Sequence, residues 1–311
     1  MVRLSILTCL IAVLGLTIGL AFSTYARAAT LRLTLEKGQV YTWEWKIFRS
    51  TETGGKPKQS HESSTPVSLR VLDRTRNGYL LELQNGRTVF DPKLQLTMAD
   101  PAMAELLKFL ETLKVRFLVT RDGEVEEVVN FKDVKEAAGK VVDAAAPTGA
   151  PDRAVLLRII EQLTGSKESL KVLALRDVGL MFYGTNVDPG MKEPADYETE
   201  LPNVFGGRPL KATGQLTLKA ADRKSKTAEF EVEQKVDNDS FLRMMKDLGT
   251  KVGKQAPKGV LEDMMKNASI RDNINVTVDL DSGLAIHAKR VRTSMIANTV
   301  KIDQVELTLQ K

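Results

Sequence analysis

Along most of this chain apolar and polar residues alternate at period two, a pattern that suits strands with one buried face and restricts the fold accordingly. Tyr41, Trp43, Trp45 and Ile47 share one face of the first strong strand. Val67, Leu69 and Val71 run through Asn77-Gly78 into Tyr79, Leu81 and Leu83, where Asn-Gly, tolerant of positive φ, predicts a hairpin over 67–90. Turn residues likewise predict hairpins over 115–131 at Asp122-Gly123, over 212–236 at 222–227, and over 273–293 at Ser282-Gly283. In the last strand the apolar phase slips at Asp303-Gln304, between Val300 and Ile302 on one side and Val305, Leu307 and Leu309 on the other, which predicts a β-bulge. Helical spacing appears at Met103, Leu106, Leu107 and Leu110 after Pro101, and again at Leu156, Ile159, Ile160 and Leu163. A less regular helix is expected after Ser166. Phe241, Met244, Met245 and Leu248 form a third stripe, and Val260, Leu261, Met264 and Met265 a fourth. The Ala/Pro/Gly-rich stretch 144–152 and the Pro/Gly-rich stretch 188–209 read as loops.

The beginning of the chain bears on location. Arg3, an uncharged apolar run from Leu4 to Phe22, and Ala26-Arg27-Ala28 are the parts of a secretory leader with its small-x-small cleavage site. The expectation is export to the periplasm or the extracellular space, with cleavage after Ala28. Residues 29–311 then form a single β-rich domain, with similar halves at about 29–145 and 205–311. The chain's one cysteine, Cys9, falls inside the leader, so the rest has neither thiol nor disulfide and relies on its core. The formal net charge of +5 is spread along a well-mixed sequence, a poor match to the clustered basic surface that nucleic acid requires.

No residue group carries a recognisable chemistry. His61 and His287 are the only histidines and neither has a partner at metal-ligand spacing. Gly249–Lys254 is one residue short of a phosphate loop, and Gln255 stands where a Ser or Thr would hold magnesium. Glu124, Glu126 and Glu127 read as a solvated strand edge, and Asp279–Gly283 as a hairpin turn without the distal glutamate of a calcium loop. The expectation is therefore no catalytic, cofactor-binding or metal-binding residue. The candidate apolar ligand-facing residues are Tyr41, Trp43 and Trp45, which include both tryptophans, and the Met-rich pairs Met244, Met245, Met264 and Met265. Methionine suits adaptable apolar surfaces, but plain core packing of a helical hairpin on the sheet is the favoured reading.

The predicted fold class is α+β: a large, curved, half-barrel-like antiparallel sheet of eleven to thirteen strands, helices on one face, and an order of hairpin, helix, hairpin that occurs twice. The helices near 240–248 and 258–267 are expected to cover its concave face. Lys37-Gly38-Gln39-Val40-Tyr41-Thr42-Trp43, the Phe117–Val125 hairpin and Leu201-Pro202 before a Gly-rich turn resemble an uncharacterised family of exported bacterial proteins. The arrangement also resembles the LolA-like half-barrel of periplasmic lipoprotein carriers. That resemblance implies a fold and no catalytic residue. The favoured reading is a non-catalytic structural or interaction module of the bacterial envelope, with an envelope protein as partner. The alternative is a carrier or sensor of a lipid-like apolar ligand, held between the sheet and the Met-rich helices.

Overall fold

The computed structural model describes residues 31–310 apart from 55–57, 93, 95–100, 146–148, 150–152, 176, 186, 202–207 and 252–267. The leader, Cys9, Met264 and Met265 thus lie outside the described residues. The strands are β1 (Val40–Thr53), β2 (Gln59–Arg74), β3 (Gly78–Asn85), β4 (Val89–Phe90), β5 (Lys114–Thr120) and β6 (Val125–Val128). They continue with β7 (Ala195–Leu201), β8 (Leu210–Asp222), β9 (Thr227–Val236), β10 (Ser269–Asp279), β11 (Ala285–Ile296) and β12 (Thr299–Leu309). The helices are α1 (Pro101–Thr112), α2 (Phe131–Ala145), α3 (Arg153–Thr164), α4 (Lys167–Ala174) and α5 (Asn238–Lys251).

All twelve strands belong to one open antiparallel sheet, ordered β6-β5-β3-β2-β1-β12-β11-β10-β9-β8-β7, with β4 attached to β2. The first and last strands pair at the centre, Trp43 opposite Leu309 and Thr53 opposite Thr299, so the sheet is joined in its middle by the two ends of the domain. The expected curved-sheet α+β class holds. The repeated order is visible in the topology, β2-β3-α1-β5-β6 on one wing and β8-β9-α5-β10-β11 on the other.

All four predicted hairpins form, though not always for the expected reason. Gly123 (φ +78°) and Gly283 (φ +76°) supply the left-handed turn residues of two of them. At Asn77-Gly78, by contrast, neither residue has positive φ. A side chain is excluded at Gly78 because its Cβ would stand 1.9 Å from the carbonyl oxygen of Val119 on the neighbouring strand. Two elements are not foreseen in the sequence: the first lies in the 188–209 stretch read as a loop, and the second in a stretch for which no element is predicted. Ala195–Leu201 is the edge strand β7, whose Asp196, Glu198 and Glu200 hide the apolar signal and suit an unpaired edge. Phe131–Ala145 is the helix α2, whose inward stripe of Val134, Ala138 and Val142 is diluted by alanines and Gly139.

The predicted bulge in β12 is absent. Its register runs unbroken on both sides, from Trp43↔Leu309 to Thr53↔Thr299 and from His287↔Thr308 to Ile296↔Thr299. The slip in pattern arises because Lys301 and Asp303 occupy the inner face while Val300 and Ile302 occupy the outer one. Successive strand residues alternate faces, and Val305, Leu307 and Leu309 share the face of Asp303.

The main core lies on the inner face. Trp43, Leu69, Leu81, Phe117, Phe230, Val278 and Leu307 come from seven strands, and Leu180, Met181 and Phe182 come from a segment laid across them. That segment begins with a single 3₁₀ turn, Val178–Leu180, and runs to Val187. It gives no period-two or 3.6 signal, yet its described side chains are almost wholly buried. It packs so closely that a Cβ on Gly184 would meet Val278 at 2.5 Å. The helices divide the rest of the inner face. A second cluster gathers Phe241 and Met244 of α5 with Leu201, Leu210, Ala212, Val236 and Ile270, at one end of β7–β10. A third joins Leu106 and Phe109 of α1 to Ala138 and Val142 of α2 and Ile160 of α3. Of the two Met-rich helices expected to cover the concave face, the one near 258–267 lies outside the described residues; α5 covers one end of the inner face, and the 177–187 segment and α1–α4 pack on other parts of it.

Candidate functional site

Between those clusters the inner face carries a row of polar residues where an ordinary sheet would be apolar. Directly opposed cross-strand pairs connect His61 (β2), Arg49 (β1), Asp303 (β12), Arg292 (β11), Asp272 (β10), Gln234 (β9), Gly214 (β8) and Tyr197 (β7). Directly opposite side chains in an antiparallel pair are near neighbours, so the row forms a continuous ladder, and charge alternates along its Arg49–Asp303–Arg292–Asp272 portion. Arg292 grips Asp272 in a two-pronged pair, Nε to Oδ1 at 2.7 Å and a terminal nitrogen to Oδ2 at 2.5 Å, both side chains at most 2% exposed. Arg49 meets Asp303 at 3.5 Å, both about 5% exposed. One step along β11, Arg290 meets Asp177 at 2.9 Å. Burial works against the charge on Arg290, but Asp177, Asp272 and Asp303 outweigh it and leave its pKa raised. Burial, reinforced by Asp272, raises the pKa of the Tyr197 phenol, which donates to Oε1 of Gln234 at 3.0 Å. Gly214 is required beneath that ring, since a Cβ there would lie 2.5 Å from Cζ of Tyr197.

The ladder ends on a cavity of about 280 Å³ between β1–β5 and helices α1–α4. This lies just below the roughly 300–1,000 Å³ typical of small-molecule sites. Its walls are mainly apolar: Ile47, Leu83 and Val115 from the sheet, Phe90 from β4, and Leu107, Phe109, Leu110, Val134, Ile160 and Leu170 from the helices. Several of its polar groups are already engaged. The hydroxyl of Thr164 donates to the Ile160 carbonyl at 2.7 Å, and Thr65 and Thr88 bond each other at 2.8 Å. Arg49 and His61 form its polar end. Burial lowers the pKa of His61 and Arg49 lowers it further, against an opposite pull from Asp91 and Asp303, so the ring favours its neutral form. Lys301, one inner-face position beyond Asp303, also has its pKa lowered by burial.

A wider groove of about 830 Å³ crosses β7–β11. Its walls include Asp196, Glu198, Glu233, Lys235 and Arg271, so it lacks the apolar lining of the smaller cavity. Among the described residues no group of three His, Cys, Asp or Glu side chains is gathered as a metal site.

The sequence candidates fall elsewhere. Trp43 is completely buried and donates its Nε1–H to the carbonyl of Ala285 at 2.9 Å. Tyr41 and Trp45 share its face and pack, partly buried, against the main core. Met244 is buried in the α5 cluster, with Met245 packed against it. The five are thus split between two cores, and the cavity has other walls. His61 and Arg49 emerged only from pairing. The one signal that could have found them is the charged residue at the strand position where the apolar alternation of β1 (Tyr41, Trp43, Trp45, Ile47) is continued by Arg49.

No protein-family model matches the chain, and no curated protein does. Among solved structures it is similar to lipovitellin, from work on lipid–protein interactions in that protein, with a TM-score of 0.47 and 12% identity. The likeness covers 89% of this chain but spans only 25% of the lipovitellin chain. It is also similar to DynF of the dynemicin biosynthesis pathway of Micromonospora chersina, at a TM-score of 0.21 and 7% identity, covering 91% of this chain and 86% of that one.

Proposed function

We propose that this chain is a non-catalytic binding protein, a carrier or sensor, for a small lipid-like molecule held between β1–β5 and α1–α4. The observation that carries the reading is the 280 Å³ cavity, lined mainly by aliphatic and aromatic side chains, unlike the polar groove across β7–β11. Interiors rarely keep voids much larger than a water molecule, and cavities with mainly apolar walls accept apolar guests. Export belongs to the same proposal: a leader ending at Ala28 would place the carrier outside the cytoplasm, where apolar molecules need protein escort through water.

Titration with the neutral apolar dye N-phenyl-1-naphthylamine tests it. The folded protein should give saturable fluorescence enhancement, and Ser63→Phe, which adds a ring at the cavity wall, should abolish it while circular dichroism and the unfolding midpoint are retained. Absence of saturable binding by the folded wild type, or full binding by a folded Ser63→Phe variant, would remove the cavity as the site.

A further inference from the structure

The segment leading into β1, the β2–β3 turn and the β5–β6 turn meet at one end of the sheet around an open pocket of about 380 Å³. Each brings an arginine to it: Arg32, Arg76 and Arg121 in that order. We propose that this pocket binds a phosphate group, with the three guanidinium groups as its donors. It shares no wall residue with the apolar cavity, so the two sites stand or fall separately. Among the described residues, neither Arg76 nor Arg121 makes an ion pair or a side-chain hydrogen bond. Nε of Arg121 is buried without a hydrogen-bond partner, so packing rather than a carboxylate holds that side chain. Arg32 has a partner, Nε to Oδ1 of Asp122 at 3.4 Å, but with side chains 63% and 45% exposed such a pair contributes little. Three guanidinium groups thus face two carboxylates, those of Asp122 and Glu126, an excess of one positive charge. Gathered like charges repel one another, and an anion placed between them removes that cost.

The backbone that carries the arginines is fixed in advance. The Arg121 amide donates to the Asn77 carbonyl at 3.1 Å, and the Leu33 amide to the Arg121 carbonyl at 2.7 Å, so the three segments are stitched to one another. The Leu31 and Thr34 amides tie the first segment to the carbonyls of Val187 and Ser282, both at 3.0 Å. The hydroxyl of Thr185 donates to the Asp122 carbonyl at 2.6 Å and anchors the β5–β6 turn to the core. Turns held this firmly lose little freedom when a ligand arrives, and loops on a rigid scaffold are where binding groups collect. Two neutral groups join the arginines on the wall, the Asn77 amide and the Thr120 hydroxyl. That hydroxyl accepts from the Glu124 amide at 3.1 Å, which leaves its proton to donate. A guanidinium fork fits carboxylate and phosphate alike. Three forks from three directions favour phosphate, whose tetrahedron offers more oxygens than the two of a carboxylate. At about 30 Å³ per water-sized group, the pocket holds roughly a dozen such groups, enough for a phosphate and part of what it esterifies. A soluble phosphate ester and a phospholipid head share this chemistry.

Isothermal titration calorimetry of the chain with inorganic phosphate, glycerol 3-phosphate and acetate, at matched ionic strength, tests the site. Both phosphates should bind saturably and about tenfold or more tighter than acetate, the factor one further charge-assisted hydrogen bond supplies. Arg76→Gln/Arg121→Gln should weaken glycerol 3-phosphate about a hundredfold, tenfold for each lost fork, with the unfolding midpoint retained. Arg121→Lys, which keeps the charge and loses the fork, should fall between. Should the double variant fail to fold, Arg76→Gln alone, at an exposed turn position, should still weaken binding about tenfold. Co-sedimentation with phosphatidylcholine vesicles, with and without phosphatidic acid, separates the two sources. Pelleting that needs phosphatidic acid and is competed by glycerol 3-phosphate supports the site as one for a lipid head; binding of the soluble ester without pelleting supports it as one for a soluble phosphate. Acetate bound as tightly as phosphate, undiminished binding by a folded arginine variant, or no saturable binding of any phosphate probe would overturn the inference and leave the apolar cavity untouched.

Discussion

Replacing Asp272 by alanine removes one half of the tightest buried ion pair and leaves Arg292, at 1% exposure, without its two-pronged partner. Two unit charges about 4 Å apart interact by roughly 4 kcal/mol at an effective dielectric constant of 20. Breaking one side of a buried pair costs about 3–5 kcal/mol, because the remaining charge stays desolvated. Asp303 faces Arg292 from the other side, Cα opposite Cα, and supplies part of the lost field, so the expected loss lies near the lower figure. Urea unfolding followed by circular dichroism reads it directly. With a slope of about 3 kcal/mol per molar urea, the midpoint should fall by about 1 M. The control is the double variant Asp272→Leu/Arg292→Met. Well-packed apolar residues of similar volume often replace a buried ion pair at no loss, so most of the stability should return. A midpoint shift under about 0.3 M for Asp272→Ala, or a double variant weaker than the single one, would refute the argument that these charges are desolvated and mutually dependent.

Three further outcomes are expected. Because burial and Arg49 lower the His61 pKa, the unfolded chain takes up its proton first as pH falls; stability should decline from about pH 6.5 downward until the native ring is protonated too, and this component should vanish in His61→Gln, as read from unfolding midpoints between pH 7 and 5. Gly78→Ala should destabilise by about 2–3 kcal/mol, since its Cβ cannot avoid the Val119 carbonyl. Gly139→Ala, in α2 with nothing within 4 Å of the added carbon, should instead stabilise by about 0.5–1 kcal/mol; equal effects in thermal melts would contradict the packing. N-terminal sequencing of protein secreted by its native host should begin at Ala29, and an intact Met1 in the membrane fraction would count against the leader.

Local chemistry by itself determined much of this architecture. Period-two alternation and turn residues located the hairpins, and period-3.6 stripes located α1, α3 and α5, because the side chains that make those patterns are neighbours in the chain. Even the repeated order of hairpin, helix and hairpin was legible. What only the tertiary structure decided is where polar groups are allowed inside. Asp303 looked like a fault in the alternation of β12, since no local rule tells a buried aspartate from a bulge. It sits on the inner face because Arg49, far away in sequence, is paired across β1 and β12, and Arg292 across β11 and β12. The same holds for the 177–187 segment, which has no periodicity and is buried by seven strands it does not belong to. The cavity is a further step removed. Its walls come from β1–β5 and four helices, and α1–α3 share a cluster of their own while Val134 of α2 and Leu170 of α4 reach the core that holds Leu83 and Val115. A charge can be buried only where other strands bring its counter-charge, and a void persists only where separate elements meet imperfectly. Both are properties of contacts between distant residues, which sequence periodicity does not encode.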